Sequence, residues 1–349
     1  MGFHTINPLV DNRWDDLVAK HELSSAFHQR GWLEALHRTY NYQPFVVSSS
    51  APGEALNNGI ALCRVSSWIT GTRLVSLPFT DHFEPVLSDG RNSEIVTALT
   101  TWLRQECDRR HCRYVELRTN ACDAGADQLF KKERRYYLHR LDLTPSIETI
   151  FAKCHKDCVQ RRVRHAERER LSYESDNHDG IVDEFYHLLT MTRRRHRLVP
   201  QPRSWFRNLV DCMGDAIRIR LARKNGRPIA AILTMAHKSS IIYKYGCSDA
   251  RYHRLGGVPF LLWKLIEESK ASGAQEIDFG RTDFDNPSLV VFKDRFGTKK
   301  SLHTYLCYRP AVRLESVGRW ASQKIRQVVP VLPDVVLPLA GSVIYRHVG

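Results

Sequence analysis

Within residues 95–120 apolar residues first recur at helical spacing, where Leu99, Trp102 and Leu103 share a face with Glu106. A short loop then leads to the strand pattern Tyr114-Val115-Glu116-Leu117. The same order returns at 257–282. At a constant offset Leu99 falls on Leu261, Leu103 on Leu265, Glu106 on Glu268, Val115 on Ile277, Glu116 on Asp278 and Leu117 on Phe279. Upstream of each helix lie strand-like runs: Gly59–Cys63 and Arg73–Leu77 in one half, Ile217–Met235 and Ile241–Gly246 in the other. The echo predicts an α/β fold of two modules, each built as strands, helix, strand. In the second module Asn225-Gly226-Arg227-Pro228 and His237–Ser240 interrupt alternating apolar runs. They predict two hairpin turns, hence an antiparallel meander followed by one crossover helix.

Between the halves, Thr144-Pro145 offers a capping hydroxyl before a proline at the first helical position, which predicts one long basic helix from Thr144 to about Leu171. A further helix over Val182–Arg195 is ended by Leu198-Val199-Pro200-Gln201-Pro202. Pro330, Pro333 and Pro338 keep the aliphatic stretch Val328–Leu339 from forming one long helix. The resulting boundaries are a first module over 1–143, a connecting basic helix over 144–171, a second module over 172–312 and a tail over 313–349 that packs on the core.

Composition narrows the class. The 349 residues, 42% of them hydrophobic, suffice for two ordinary cores. No window of about 18 apolar residues occurs, and the first forty residues lack a signal-peptide core. The nine cysteines, an odd and scattered set, suit a reduced compartment and not a disulfide framework. A cytoplasmic protein is expected, with contact at the inner membrane face as its only membrane association. Lys and Arg exceed Asp and Glu by 52 to 38, a net charge of +14 that favours an anionic partner or a generally basic surface.

Four stretches carry candidate chemistry. Arg251, His253 and Arg254 precede Gly256-Gly257 at a helix start, where exposed N–H groups and nearby arginines suit a pyrophosphate, although Gly-Gly before a helix is more often simply a turn. Asp278-Phe279-Gly280-Arg281-Thr282 ends a strand and is followed by Phe292-Lys293-Asp294-Arg295-Phe296-Gly297. Arg281 and Lys293 there could hold a phosphate or a developing negative charge. The proline-bounded loop Pro78–Pro85 places Asp81, His82 and Glu84 together, where a carboxylate could take a proton from an attacking ammonium or simply shape a turn. Two basic stretches, Lys153–Arg170 and Arg193–Arg197, read as solvated faces or as phosphate contacts through Arg162 and Arg164. Cys154, His155 and Cys158 lack further ligands at zinc spacing, so no metal site is expected.

Together, in this order, the helix around Trp32-Leu33-Glu34-Ala35-Leu36, the Pro78-Phe79-Thr80-Asp81-His82 loop, the basic helix Arg161–Glu167, Arg195-His196-Arg197-Leu198-Val199-Pro200, Asp278–Thr282 and Phe292-Lys293-x-x-Phe296-Gly297 resemble the FemAB-like branch of the GNAT superfamily. That resemblance implies two tandem GNAT-like modules, each a mixed, mostly antiparallel sheet flanked by helices, facing across a cleft. It implies acyl or aminoacyl transfer to an amine, with Lys293, Arg281, Asp81 and Asp278 as catalytic candidates. Arg251, Arg254, Gly256 and Gly257 become donor-binding candidates, and His82, Glu84, Arg162 and Arg164 acceptor-binding ones. Lys293→Ala is then expected to lower turnover without unfolding the chain.

The coiled-coil arm expected of bridge-forming, tRNA-dependent relatives is missing from the sequence, which shifts the expected donor towards an acyl-CoA-like thioester. No tightly bound cofactor is expected. The expected acceptor is an amino group on a phosphorylated or lipid-linked envelope or polysaccharide precursor. Three rival or added readings stay open: an aminoacyl-tRNA donor, a non-catalytic binder of anionic lipid or nucleic acid, and peripheral membrane contact through Val328–Leu339. Nothing in the sequence points to DNA.

Overall fold

The alternating runs and the amphipathic stretches become strands and helices in the order the echo predicts. A computed structural model describes residues 2–87, 93–120, 127–310 and 336–348. The chain forms two units. Unit 1 takes the chain up to Tyr136, the stretch beginning at His303, and the end from Val343, whereas unit 2 takes Tyr137–Leu302 and the stretch ending at Ser342.

Unit 1 opens with β1 (His4–Ile6), α1 (Arg13–Lys20), α2 (Arg30–Tyr40), β2 (Gln43–Ser48), β3 (Asn58–Val65), β4 (Arg73–Val75) and β5 (Val86–Leu87). It continues with α3 (Ser93–Arg109) and β6 (Val115–Leu117), after which β7 (Lys131–Asp142) carries the chain into unit 2. Unit 2 holds α4 (Ile147–Lys153), α5 (Arg161–Arg168), β8 (Ser172–Asp176), α6 (Asp179–Arg195), α7 (Arg203–Met213), β9 (Ile217–Lys224), β10 (Arg227–His237) and β11 (Ser240–Ser248). Then come α8 (Gly257–Ala271), β12 (Glu276–Asp283) and α9 (Pro287–Asp294). The strand β13 (Lys299–Tyr308) returns the chain to unit 1, and α10 (Val336–Val348) closes it.

In unit 1 the strands run in the order β1-β2-β3-β4-β6, followed by the end of β13. In unit 2 the order is β12-β11-β10-β9-β8. Most pairs are antiparallel, so each sheet is mixed but mainly antiparallel. Two parallel pairs, one in each unit, explain the echo. Leu74 pairs with Val115 across α3, and Ile241 pairs with Ile277 across α8. Each half therefore contains a strand, a crossover helix and a parallel strand, the arrangement that forces a helix onto the sheet face. The helix positions that match in sequence, Leu99, Leu103, Leu261 and Leu265, are all buried.

The β9–β10 turn has both central residues, Asn225 and Gly226, at positive φ, as a two-residue hairpin requires. The core of unit 2 collects Phe260, Leu261 and Leu265 of α8, Ala230 and Ile232 of β10, Val163 and Ala166 of α5, and Phe279 and Phe296. The expected single helix from Thr144 to Leu171 is instead three pieces. Ser146 caps α4 by accepting the N–H of Thr149, then Cys154 and His155 turn extended, and a π-helical turn, Lys156–Gln160, leads into α5. The break follows from tertiary contact, since the His155 N–H donates to the Arg295 carbonyl at 2.8 Å and its Nδ1 accepts from the N–H groups of Asp157 and Cys158. Of the proline-broken stretch Val328–Leu339, residues 328–335 lie outside the described residues, and from Val336 the chain is helical. Among the described residues no helix is long and apolar enough to cross a membrane.

Candidate functional site

In unit 2 the parallel ladder between β11 and β12 covers only Ser240↔Glu276 to Ile242↔Asp278, although β11 runs on to Ser248 and β12 to Asp283. A bulge explains the departure: Thr234 opposes Tyr243 and Leu233 opposes Tyr245, leaving Lys244 extra on β11 and bending it. Tyr243 packs edge-on to Phe279 of β12, with ring centroids 5.7 Å apart. Its hydroxyl lies over Gly246, where a Cβ would stand 1.9 Å from Oη, so any side chain at that position must displace the tyrosine.

At the end of β11, Asp249 is buried and accepts from the Arg251 N–H and from the Arg251 guanidinium, with Nη2 at 2.6 Å. The Arg251 hydrogen bond holds the Asp249 carboxyl below its ordinary range. The glycines that follow serve close packing. Gly256 is left-handed at φ +75°, and a Cβ there would come 2.8 Å from the Arg162 carbonyl oxygen. A Cβ on Gly257 would come 2.9 Å from the Ala230 methyl. Because Pro259 has no N–H, the first turn of α8 can offer an anion only the N–H groups of Gly257 and Val258. Arg254 is exposed beside them. Arg162 donates from Nη1 to the Arg254 carbonyl at 2.8 Å, so the structure groups it with Arg254 and Gly256. Arg164 instead lies over the Phe151 ring at 5.5 Å.

A cavity of about 840 Å³ opens between α6, the start of α7 and the Asp249–Arg251 segment at the end of β11. Arg194, Arg195, Arg203 and Arg251 line it, against Asp183 and Asp249. Arg195 is fixed by donation to the Ser248 carbonyl at 3.1 Å and Arg203 by Asp183 at 2.6 Å. Its volume lies within the range of small-molecule sites. Sequence reading saw Arg193–Arg197 as a basic run but did not join it to Arg251; the helical spacing that turns Arg194 and Arg195 towards one side of α6 was the available signal.

At the end of β12, Asp278 is buried and its Oδ1 accepts the Gly280 N–H at 2.6 Å, so the carboxylate caps its own turn. Lys293 of α9 is also buried. Its Nζ donates to the carbonyls of Gly280 and Arg281, each at 2.9 Å. Lys293 thus fixes the backbone that presents Arg281. Beside them lies His139 of β7, fully buried, with Nδ1 3.4 Å from both Thr298 Oγ1 and Asp294 Oδ1, and with Nε2 buried and without a hydrogen-bond partner among the described residues. Burial, followed by the Lys293 charge, brings its pKa down to about 4. Sequence reading missed His139, although the alternation Tyr137, His139, Leu141, Leu143 places it on the inward face.

In unit 1 the Pro78–Pro85 loop is flanked and entered by strained backbone, with Leu77 at φ +58° and Phe79 at φ +63°. A network holds that conformation. Thr80 Oγ1 donates to the Leu77 carbonyl at 2.9 Å, Arg118 Nη1 to the Thr80 carbonyl at 3.1 Å, and the Tyr305 hydroxyl to the Asp81 carbonyl at 2.9 Å. Arg118 in turn pairs with buried Glu116 at 2.8 Å. His82 is buried edge-on to Phe27 and His303. Glu84 accepts from the Thr119 hydroxyl and from the Asn120 N–H. Asp81, His82 and Glu84 are thereby brought onto one braced loop; both Glu84 oxygens, and Oδ1 of Asp278, already accept protein hydrogen bonds, and Asp81 is half-buried.

Residues 152–288 match the family described as an acetyltransferase (GNAT) domain. Among solved structures the chain is similar to FemX, at 14% identity and TM-score 0.66, over 94% of this chain and all of that one. It is also similar to L-PGS from Bacillus licheniformis, at 13% identity and TM-score 0.56, over 91% and 96% of the two chains. A tandem GNAT protein from the clavulanic acid biosynthesis pathway aligns at 13% identity and TM-score 0.54, over 90% and 99%. At these identities the structural likenesses speak for the fold. A comparison with curated protein sequences gives no match. Residues 152–288 thus carry a GNAT-type acetyltransferase domain, which makes the protein an acyltransferase, and the whole chain has a fold similar to FemX and to the tandem GNAT protein.

Proposed function

We propose that the protein transfers an acyl group from a thioester donor of the acyl-CoA kind to an amino group on a phosphorylated or lipid-linked acceptor. The observation that carries the donor assignment is the arginine-lined cavity at the end of β11. Four guanidiniums against two carboxylates leave it net cationic, which suits the phosphates of such a donor. In the reaction the amine nitrogen bonds to the carbonyl carbon, the carbon–sulfur bond breaks, the sulfur leaves as thiol and the amine gives up its proton. Positive charge fixed near the end of β12 by Lys293 and Arg281 would stabilise the tetrahedral oxyanion, so that positioning and electrostatics supply most of the acceleration. The braced loop of unit 1, with Asp81, His82 and Glu84, is proposed to recognise the acceptor amine, and Asp81 is its candidate proton acceptor.

The test is donor-dependent thiol release by the full chain from a series of acyl-CoA thioesters in the presence of amino-sugar and amino-lipid acceptors. Arg251→Gln should raise KM for the donor about tenfold and spare kcat. No thiol release with any pair sinks the thioester reading.

A second donor is favoured by a separate observation. α5 buries only Val163 and Ala166 and presents Arg161, Arg162, Arg164 and Arg168 outward, as a phosphate backbone would require. If aminoacyl-tRNA is the donor, Arg164→Glu with Arg168→Glu abolishes transfer from charged tRNA; thioester turnover unaffected by that pair supports the first reading.

A further inference from the structure

The tip of the β3–β4 hairpin in unit 1 projects Trp68, 89% exposed, and Ile69, 44% exposed. Such exposure on a loose loop is ordinary surface. This loop is not loose. Ser67 Oγ accepts the N–H groups of Ile69 and Thr70 at 3.1 and 2.9 Å, and the Gly71 N–H donates to the Ser67 carbonyl at 2.8 Å. Below the tip, buried Arg73 donates to Thr70 Oγ1 and to the His347 carbonyl, each at 2.7 Å. Ser67 Oγ also lies 2.9 Å from His347 Nδ1. The hairpin and the last turn of α10 are therefore one braced piece, with the Trp68 ring edge-on to His347 at 6.0 Å. One helical turn before His347, Val343 is 59% exposed. Arg346 is exposed on the same turn, and the Arg113 side chain runs under Gly71.

We infer that this tip docks on an anionic lipid bilayer. An ordered projection of tryptophan and isoleucine loses little conformational freedom on insertion, and tryptophan prefers the headgroup level of a bilayer. Arg113 and Arg346 would meet anionic headgroups, each contributing about a fivefold gain in partitioning, and the net charge of +14 acts in the same sense. A second copy of the chain is a poorer occupant. So small and prominent a tip cannot bury the ~800 Å² per partner of a stable protein interface, whereas a bilayer accepts it without a matching surface.

The inference is independent of the donor and acceptor proposed above, and so is its test. The full chain is sedimented with vesicles of equimolar phosphatidylglycerol and phosphatidylcholine, and with vesicles of phosphatidylcholine alone, at low and at physiological salt. The expected result is binding to the anionic vesicles that weakens with salt. Trp68→Ser should lower the partition coefficient about tenfold and Arg346→Glu at least fivefold. Circular dichroism should be unchanged for Trp68→Ser, whose side chain is almost wholly in solvent. Absence of wild-type binding, or Trp68→Ser binding as well as the wild type, overturns the inference. So does a Trp68→Ser variant whose only change is a dimer becoming a monomer by mass.

Discussion

Replacing Lys293 probes the turn that presents Arg281, and the structure sets the size of the effect. The ammonium is buried and holds two carbonyls at 2.9 Å each. Alanine leaves both carbonyls without that donor, at about 1–3 kcal/mol for each such buried group, and also removes a packed stem. With partial relaxation the loss is about 2–4 kcal/mol, a large part of the ~5–15 kcal/mol that stabilises a typical domain. Lys293→Ala is therefore expected to lower stability as well as turnover, with the chain still folded. Lys293→Met keeps most of the stem and isolates the loss of charge and donors. The assay is urea unfolding followed by circular dichroism, with turnover normalised to folded protein. His139 gives a second readout. Removing the Lys293 charge should raise its pKa from about 4, measurable by imidazole NMR. A destabilisation below about 0.5 kcal/mol together with an unmoved His139 would refute the seating of the ammonium on the Gly280–Arg281 turn.

Other consequences follow from burial and sterics. His139 and His237 are both depressed to about 4 by burial, so unfolding takes up protons between pH 6.5 and 4. Stability should be full above pH 6.5 and fall as pH drops through that window, and His139→Gln should flatten part of the slope in urea midpoints taken against pH. Gly246→Ala should cost about 1–3 kcal/mol because its methyl meets Tyr243 Oη. Tyr243→Phe, by removing that oxygen, should restore part of the loss in a double-mutant cycle of urea unfolding, and strict additivity would contradict the contact. Gly256→Ala combines a left-handed backbone with the Arg162 carbonyl at 2.8 Å; it should destabilise by about 1–3 kcal/mol in the same assay.

Much of the fold was legible because it is locally encoded. The meander follows from Asn225-Gly226 and from alternation in β9–β11, and the echo between Leu99–Leu117 and Leu261–Phe279 is a shared crossover onto a parallel strand. The broken helix at Cys154-His155 was not legible, since local signals favoured continuation and the Arg295 carbonyl, distant in sequence, decides otherwise. The site shows the same division. The Asp278–Thr282 and Phe292–Gly297 pieces were readable as strand end and loop, but the sequence does not say that the Lys293 head turns onto backbone. His139 was hidden because an imidazole in a strand full of charge looks solvated until its neighbours bury it. Gly256-Gly257 suggested a ligand cradle, and the structure shows that close approach to Arg162 and Ala230 already requires both.

Titration calorimetry of the full chain with CoA tells whether unit 2 holds a phosphate-bearing thioester donor in the arginine-lined cavity. The expected result is saturable one-to-one binding that weakens with salt and falls about tenfold in Arg251→Gln with the fold intact. No heat of binding, or an affinity that Arg251→Gln leaves unchanged, would contradict it.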